Sequence, residues 1–191
     1  MRRKEFLNRL TWIWGGAVLV PTAAMLQSCV YKPVKRVELT QTDIPFLDAL
    51  GETIIPTTAD APGAKEAKIG EFMIVMVRDC MPPDHQDILL DGLNTLDEHC
   101  AKTYKSSFAN LEVPKQLEIV QQLQSDAIAH GLKQKGKNTR TPHYFNILKG
   151  LTVRGYFTSK IGCTQARRYN PVPGKYEACI PYKKEDKIWA T

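Results

Sequence analysis

At 191 residues, with 26 Lys+Arg against 20 Asp+Glu and a net charge of +6, the chain is long enough to bury a core without disulfides or a structural metal. Much of the positive excess lies at the start: residues 1–28 hold Arg2, Arg3, Lys4 and Arg9 against Glu5 alone, so the remainder carries 22 basic and 19 acidic residues, a net of +3. So mild a balance names no partner and argues against a nucleic-acid binder.

The first 29 residues read as a bacterial lipoprotein signal. A basic start is followed by an uncharged stretch from Leu10 to Ser28 and then Leu26-Gln27-Ser28-Cys29. Positive residues stay on the cytoplasmic side, the apolar stretch enters the bilayer, and cleavage would leave Cys29 as the lipid-modified first residue. An uncleaved membrane-spanning anchor competes with this reading, since about 18 uncharged residues just span a hydrocarbon core; Pro21 and Gln27 weaken such a helix. Phe6-Leu7 sets a register that places Arg3 and Lys4 in the twin positions of a twin-arginine signal. That leaves Arg2-Arg3 one residue early, so twin-arginine and general secretory export both stay open. Either route puts the protein on the periplasmic side of the cell envelope, on a membrane the sequence does not specify.

Residues 29–39 are short, basic and proline-containing, a tether between lipid and body. A single helical domain then spans 40–191. Thr40 or Thr42 caps a first helix with Ile44, Leu47, Leu50 and Ile54 inward, stopped by Pro56. After the turn-rich Thr57–Gly63, a second helix runs from about Lys65 to Cys80 with Ile69, Phe72, Met73, Met76 and Val77 buried. Pro82-Pro83-Asp84 starts a third, reaching about Tyr104 and burying Ile88, Leu89, Leu93, Leu96 and Cys100. Pro114 opens a fourth with Leu117, Val120, Leu123 and Ala127 inward, ending by Gly131. A fifth, from Pro142 to about Lys160, carries Phe145, Leu148, Leu151, Val153 and Tyr156. The expectation is an all-α protein: an irregular bundle of about five helices, with a long irregular C-terminal tail packed across it and no strand pair.

Chemistry is hard to find. His85 and His99 share a helix but lie about 21 Å apart at 1.5 Å per residue, and the chain has no Cys-x-x-Cys or His-x-x-x-His pair, so no metal site is expected. Asp84, Asp87 and Asp91 suit the positive end of a helix dipole and read as a solvated face. No dinucleotide loop, phosphate loop, nucleophile elbow or calcium loop occurs. Cys80 and Cys100 sit too far apart on their helices to bridge. Cys163 and Cys179 both fall in the tail, where a disulfide and two free thiols are both open. An enzyme built on His143 and the Arg167-Arg168 pair is the weakest reading, because lone histidines and paired arginines usually serve structure.

The tail carries a resemblance. Gly155-Tyr156-Phe157-Thr158-Ser159-Lys160-Ile161-Gly162, followed by Tyr169-Asn170-Pro171-Val172-Pro173-Gly174-Lys175-Tyr176-Glu177-Ala178-Cys179-Ile180-Pro181, resembles the closing signature of the gluconate 2-dehydrogenase subunit 3 family. The stretch Phe46–Pro56, then Asp60-Ala61-Pro62-Gly63-Ala64, resembles that family's first helix and the proline-rich turn after it. The resemblance implies an exported accessory subunit with no active site and no cofactor of its own. Its partner would be a flavoprotein dehydrogenase of the glucose-methanol-choline type, which holds the FAD and oxidises a sugar or sugar acid, with a cytochrome bearing haem c as a third component. Tyr156, Tyr169, Pro171, Pro173 and Tyr176 then read either as a stiff aromatic strip for that partner or as cover for this chain's own core. A stand-alone envelope lipoprotein acting as a scaffold is the alternative, and a neighbouring dehydrogenase gene would separate the two.

Overall fold

A computed structural model describes residues 31–191 apart from 138–140, 173, 176–178, 182 and 191. The lipidation candidate Cys29, with the whole signal segment, and the tail residues Pro173 and Tyr176 therefore lie outside the described residues.

Among the described residues five α-helices follow one another: α1 Ile44–Ile54, α2 Ile69–Cys80, α3 Pro83–Tyr104, α4 Val113–Lys133 and α5 Tyr144–Thr158, and the protein is all-α as expected. Each start has a local cause. A 3-10 turn, Gln41–Asp43, carries a capping box in which Asp43 reaches back to Thr40 N, 2.9 Å, and leads into α1. Asp48 of α1 accepts from Gly70 N, 2.7 Å, so a side chain of one helix caps the next. Burial raises the Asp48 pKa, only partly countered by that hydrogen bond and by Lys65. Pro83 and Pro114 occupy first turns, where a missing N–H costs nothing, and His143 Nδ1 accepts from Phe145 N at the start of α5.

The core is built where the helices share Leu47, Leu50, Ile69, Met73, Leu89, Leu93, Phe108, Phe145 and Leu148, each at most 1 % exposed. Phe46 meets Phe108 edge to face with centroids 6.2 Å apart. Two glycines bring helices close: a Cβ at Gly92 would strike the Tyr144 ring at 2.1 Å, and one at Gly155 the Phe72 ring at 2.5 Å.

Three inward assignments differ from the periodicity. Leu117 is 45 % exposed, because Gln116 takes the inward place and donates to Phe108 O, 2.9 Å, on a 3-10 turn at 108–110. Val153 faces out and Thr152 faces in, its hydroxyl returned to Leu148 O at 2.9 Å. Ile88, read as buried, is half-buried, whereas Leu90, which is not in the inward set read from the spacing, is buried.

The folded unit begins at Pro33, so much of the segment read as tether belongs to the body. Arg36 is the reason. Its guanidinium is 4 % exposed, pairs with Asp43 Oδ1 at 2.7 Å and Asp97 Oδ2 at 3.2 Å, and lies 4.3 Å from the centroid of Phe46. Its backbone N donates to Asn94 Oδ1, 2.8 Å, and its carbonyl accepts from Asn94 Nδ2, 2.9 Å. Val34 N adds a bond to Asp97 Oδ2. Two carboxylates from different elements thus converge on one buried cation, with charge-assisted bonds on both sides.

The tail also holds more structure than expected. After a π turn at Gly162–Ala166, Arg168–Tyr169 pairs in parallel with Trp189–Ala190, through Arg168 N to Ile188 O, 2.9 Å, and Asn170 N to Ala190 O, 3.0 Å. A chain folding back from its own end makes this pairing, which no local alternation announces.

Candidate functional site

The two segments that carry the resemblance meet in space. The turn after α1 is organised by Glu52, whose Oε1 accepts from Thr57 N and Thr57 Oγ1, both 2.8 Å, and whose Oε2 accepts from Lys65 N, 3.0 Å. Burial alone would raise the Glu52 pKa, but these hydrogen bonds outweigh it and the carboxyl lies below its ordinary value. A Cβ at Gly63 would come within 2.4 Å of both Glu52 oxygens, so a side chain there would have to push the carboxylate off these bonds. Onto this turn comes the end of α5: Tyr156 OH donates to Pro62 O at 2.5 Å across 94 residues of sequence. Lys187 extends the contact, donating to Asp60 O at 3.3 Å and to Gln165 O. Between the turn and the residues after α5 opens a shallow hollow of about 510 Å³.

Tyr156 is therefore a core residue, 2 % exposed, and drops out of the contact strip weighed from the sequence. Its ring sits 5.1 Å from that of Phe157. Tyr169 faces solvent at 51 % exposure and Pro171 is exposed. Trp189 and Ile188, on the strand paired with Arg168–Tyr169, are exposed as well, and so are Val172 and Ile180 elsewhere in the tail. Sequence reasoning had not singled out Trp189 or Glu52. The one lies beyond the resembling stretch, and the other looked like any helical glutamate.

The remaining candidates go to structural work. Arg167 stacks 4.4 Å from the Phe157 ring centroid and Arg168 4.1 Å from that of Trp189. Asp84, Asp87, Asp91 and His99 are exposed, as a solvated face requires. Cys80, Cys100, Cys163 and Cys179 are all free thiols, so the Cys163–Cys179 bridge is not formed; the Cys163 thiol donates to Phe157 O, 3.3 Å. Burial, with Asp97 adding to it, pushes the Cys100 thiol up to about 11, which keeps it protonated and inert. Among the described residues no three His, Cys, Asp or Glu side chains are placed to hold a metal ion, and no helix is long and apolar enough to cross a membrane.

A second cleft, about 480 Å³, lies between α3, α4 and the start of α5, lined by Leu96, His99, Ile119, Asp126, His143 and Tyr144. Burial, reinforced by Asp126 and Cys100, raises the Tyr144 pKa. The His143 pKa is lowered, first by burial and then by His130, whose ring centroid is 5.5 Å away. The neutral imidazole is the form that caps α5, since protonated Nδ1 could no longer accept from Phe145 N. A depressed folded pKa means that this stabilisation is complete above the ordinary histidine value of about 6.5 and is lost as pH falls through it toward the folded value. Thermal midpoints measured from pH 8 to pH 5 should fall less in His143→Asn, which still caps but does not titrate; parallel curves would remove His143 from the acid response.

The family model described as gluconate 2-dehydrogenase subunit 3 matches residues 41–174, a span that takes in α1 to α5, the Glu52-organised turn and the first part of the tail. The chain belongs to the gluconate 2-dehydrogenase subunit 3 family. Membership implies an accessory subunit of a gluconate dehydrogenase complex, associating with that complex's other subunits. Comparison with curated proteins and with solved structures finds no match.

Proposed function

We propose that this chain is the non-catalytic small subunit of an exported, membrane-associated dehydrogenase, and that it supports folding, export or stability of the FAD-bearing subunit. The partner reading comes from the family: a flavoprotein of the glucose-methanol-choline type acting on a sugar or sugar acid, with a haem c cytochrome as a further component. The reading of this chain rests on one observation. Its two resembling segments converge through Tyr156 and Pro62, and beside that junction Tyr169, Pro171, Ile188 and Trp189 are left exposed. Aromatic and apolar residues grouped on a surface suit a protein contact better than solvent. Cys29, at the end of the apolar leader, would hold the assembly to the membrane by lipid on the periplasmic side.

The test is co-purification from membranes. A tagged chain should bring down a yellow, FAD-containing subunit, and Cys29→Ser should move both to the soluble fraction. Purified alone, the chain should be colourless. Tyr169→Ala and Trp189→Ala should each weaken the association by about 1–3 kcal/mol while the circular dichroism spectrum stays unchanged. A flavin or haem band that survives gel filtration of the isolated chain overturns the non-catalytic reading. Undiminished capture by both variants moves the contact elsewhere.

A further inference from the structure

The cleft between α3, α4 and the start of α5 carries a chemistry of its own. One strip of α4 runs along it: Glu118, Ile119, Gln122, Leu123 and Asp126. Its polar members recur every fourth residue, so Glu118, Gln122 and Asp126 stand about 6 Å apart along the helix and about 12 Å from first to last. Gln122 Nε2 donates to Asp126 Oδ1, 3.0 Å, which leaves the Gln122 amide oxygen as an open acceptor. Three acceptors thus form a row, with a carboxylate at each end and a neutral carbonyl between them.

The walls suit the same occupant. Leu96 and Ile119 are buried and Leu123 is half-buried, an apolar floor beside the row. Tyr104 and Tyr144 bring phenol rings, which favour cations at their faces. The Tyr144 ring is seated against α3 by the bare backbone of Gly92. Its hydroxyl makes no hydrogen bond to any described residue and lines the cleft. Among the described residues no lysine or arginine lines it; its basic groups are the imidazoles of His99 and His143. Burial and then His130 lower the His143 pKa, which keeps that ring neutral.

At about 480 Å³ the cleft has the size of a small-molecule site. A metal ion would need ligands gathered at one point, whereas these carboxylates are spread along two turns of helix. An anion would meet like charge, and an apolar molecule would leave both carboxylates without a partner. A chain of ammonium groups on methylene stems answers every acceptor. Nitrogens three or four methylenes apart lie about 5–6 Å from one another when extended, which is the spacing of the row.

We propose that this cleft binds a linear aliphatic triamine, with terminal ammonium groups on Glu118 and Asp126, the central one on Gln122 Oε1 and the methylenes over Ile119 and Leu123. The site is independent of the tail surface and of the flavoprotein.

Isothermal titration of spermidine into the full-length chain in detergent, at physiological ionic strength, tests it. Binding is expected with a Kd below about 100 μM, and the thermal midpoint should rise as spermidine is added. Glu118→Gln and Asp126→Asn, both at exposed positions, should fold like the parent and each weaken binding by about tenfold. Putrescine, whose two nitrogens span only about 6 Å, reaches one carboxylate at a time and should bind about tenfold more weakly than spermidine. Asp87→Asn, on the solvated face of α3, should bind as the parent does. No binding up to about 1 mM spermidine overturns the site. An equal loss in Asp87→Asn would reduce the effect to a polycation near an acidic surface and overturns it too. Putrescine as tight as spermidine overturns the three-point fit.

Discussion

Arg36→Ala is expected to destabilise the folded body by about 3–5 kcal/mol, since it strands Asp43 and Asp97 in a buried site without their cation. For a body of this size that corresponds to a fall of roughly 6–20 °C in thermal midpoint. The ion pair itself is a poor guide to net stability, because burying charges costs nearly what their attraction returns; the loss on breaking it comes from the partners left behind. A triple variant, Arg36→Met with Asp43→Asn and Asp97→Asn, should therefore recover part of the midpoint. Arg36→Lys should fall between, keeping the charge but losing the fork that reaches two carboxylates and the stacking on Phe46. A midpoint for Arg36→Ala within 2 °C of the parent would mean that the segment before α1 does not contribute to the fold.

Tyr156→Ala should cost a similar amount, about 3–5 kcal/mol, as for other large aromatic truncations in a core. Tyr156→Phe should cost about 1–3 kcal/mol, the penalty for leaving Pro62 O without its donor. Tyr169→Ala, on the exposed side of the same region, should stay within about 0.5 kcal/mol of the parent. These three midpoints separate the residue that closes the core from the one offered to a partner. If Tyr156→Ala melts normally yet fails to capture the flavoprotein, the assignment of Tyr156 to the core is wrong.

The helices were legible because their signals are local. Pro83 and Pro114 mark first turns, and the apolar spacing of α1 and α2 turns the right faces inward. What could not be read depends on distant residues. Leu117 and Gln116 differ by one position, and which of them turns inward is decided by Phe108 O, which only a folded chain presents. Arg36 looked like one more basic residue in a spacer, because its partners Asn94 and Asp97 lie 58 and 61 residues on. Of the tail residues weighed as a contact strip, Tyr169 and Pro171 lie exposed and Tyr156 is buried; not among them was the exposed Trp189. Its place beside Arg168 depends on the last residues folding back.

The long reach of these contacts also sets an order of events. At about 5–20 residues per second of synthesis, the interval between Arg36 and Asp97 is roughly 3–12 s, and Pro62 waits longer still for Tyr156. The closures that define the front of the domain thus come in sequence, Arg36 with Asp97 once α3 is made and Pro62 with Tyr156 only after α5, each carrying the loop-entropy cost of its span.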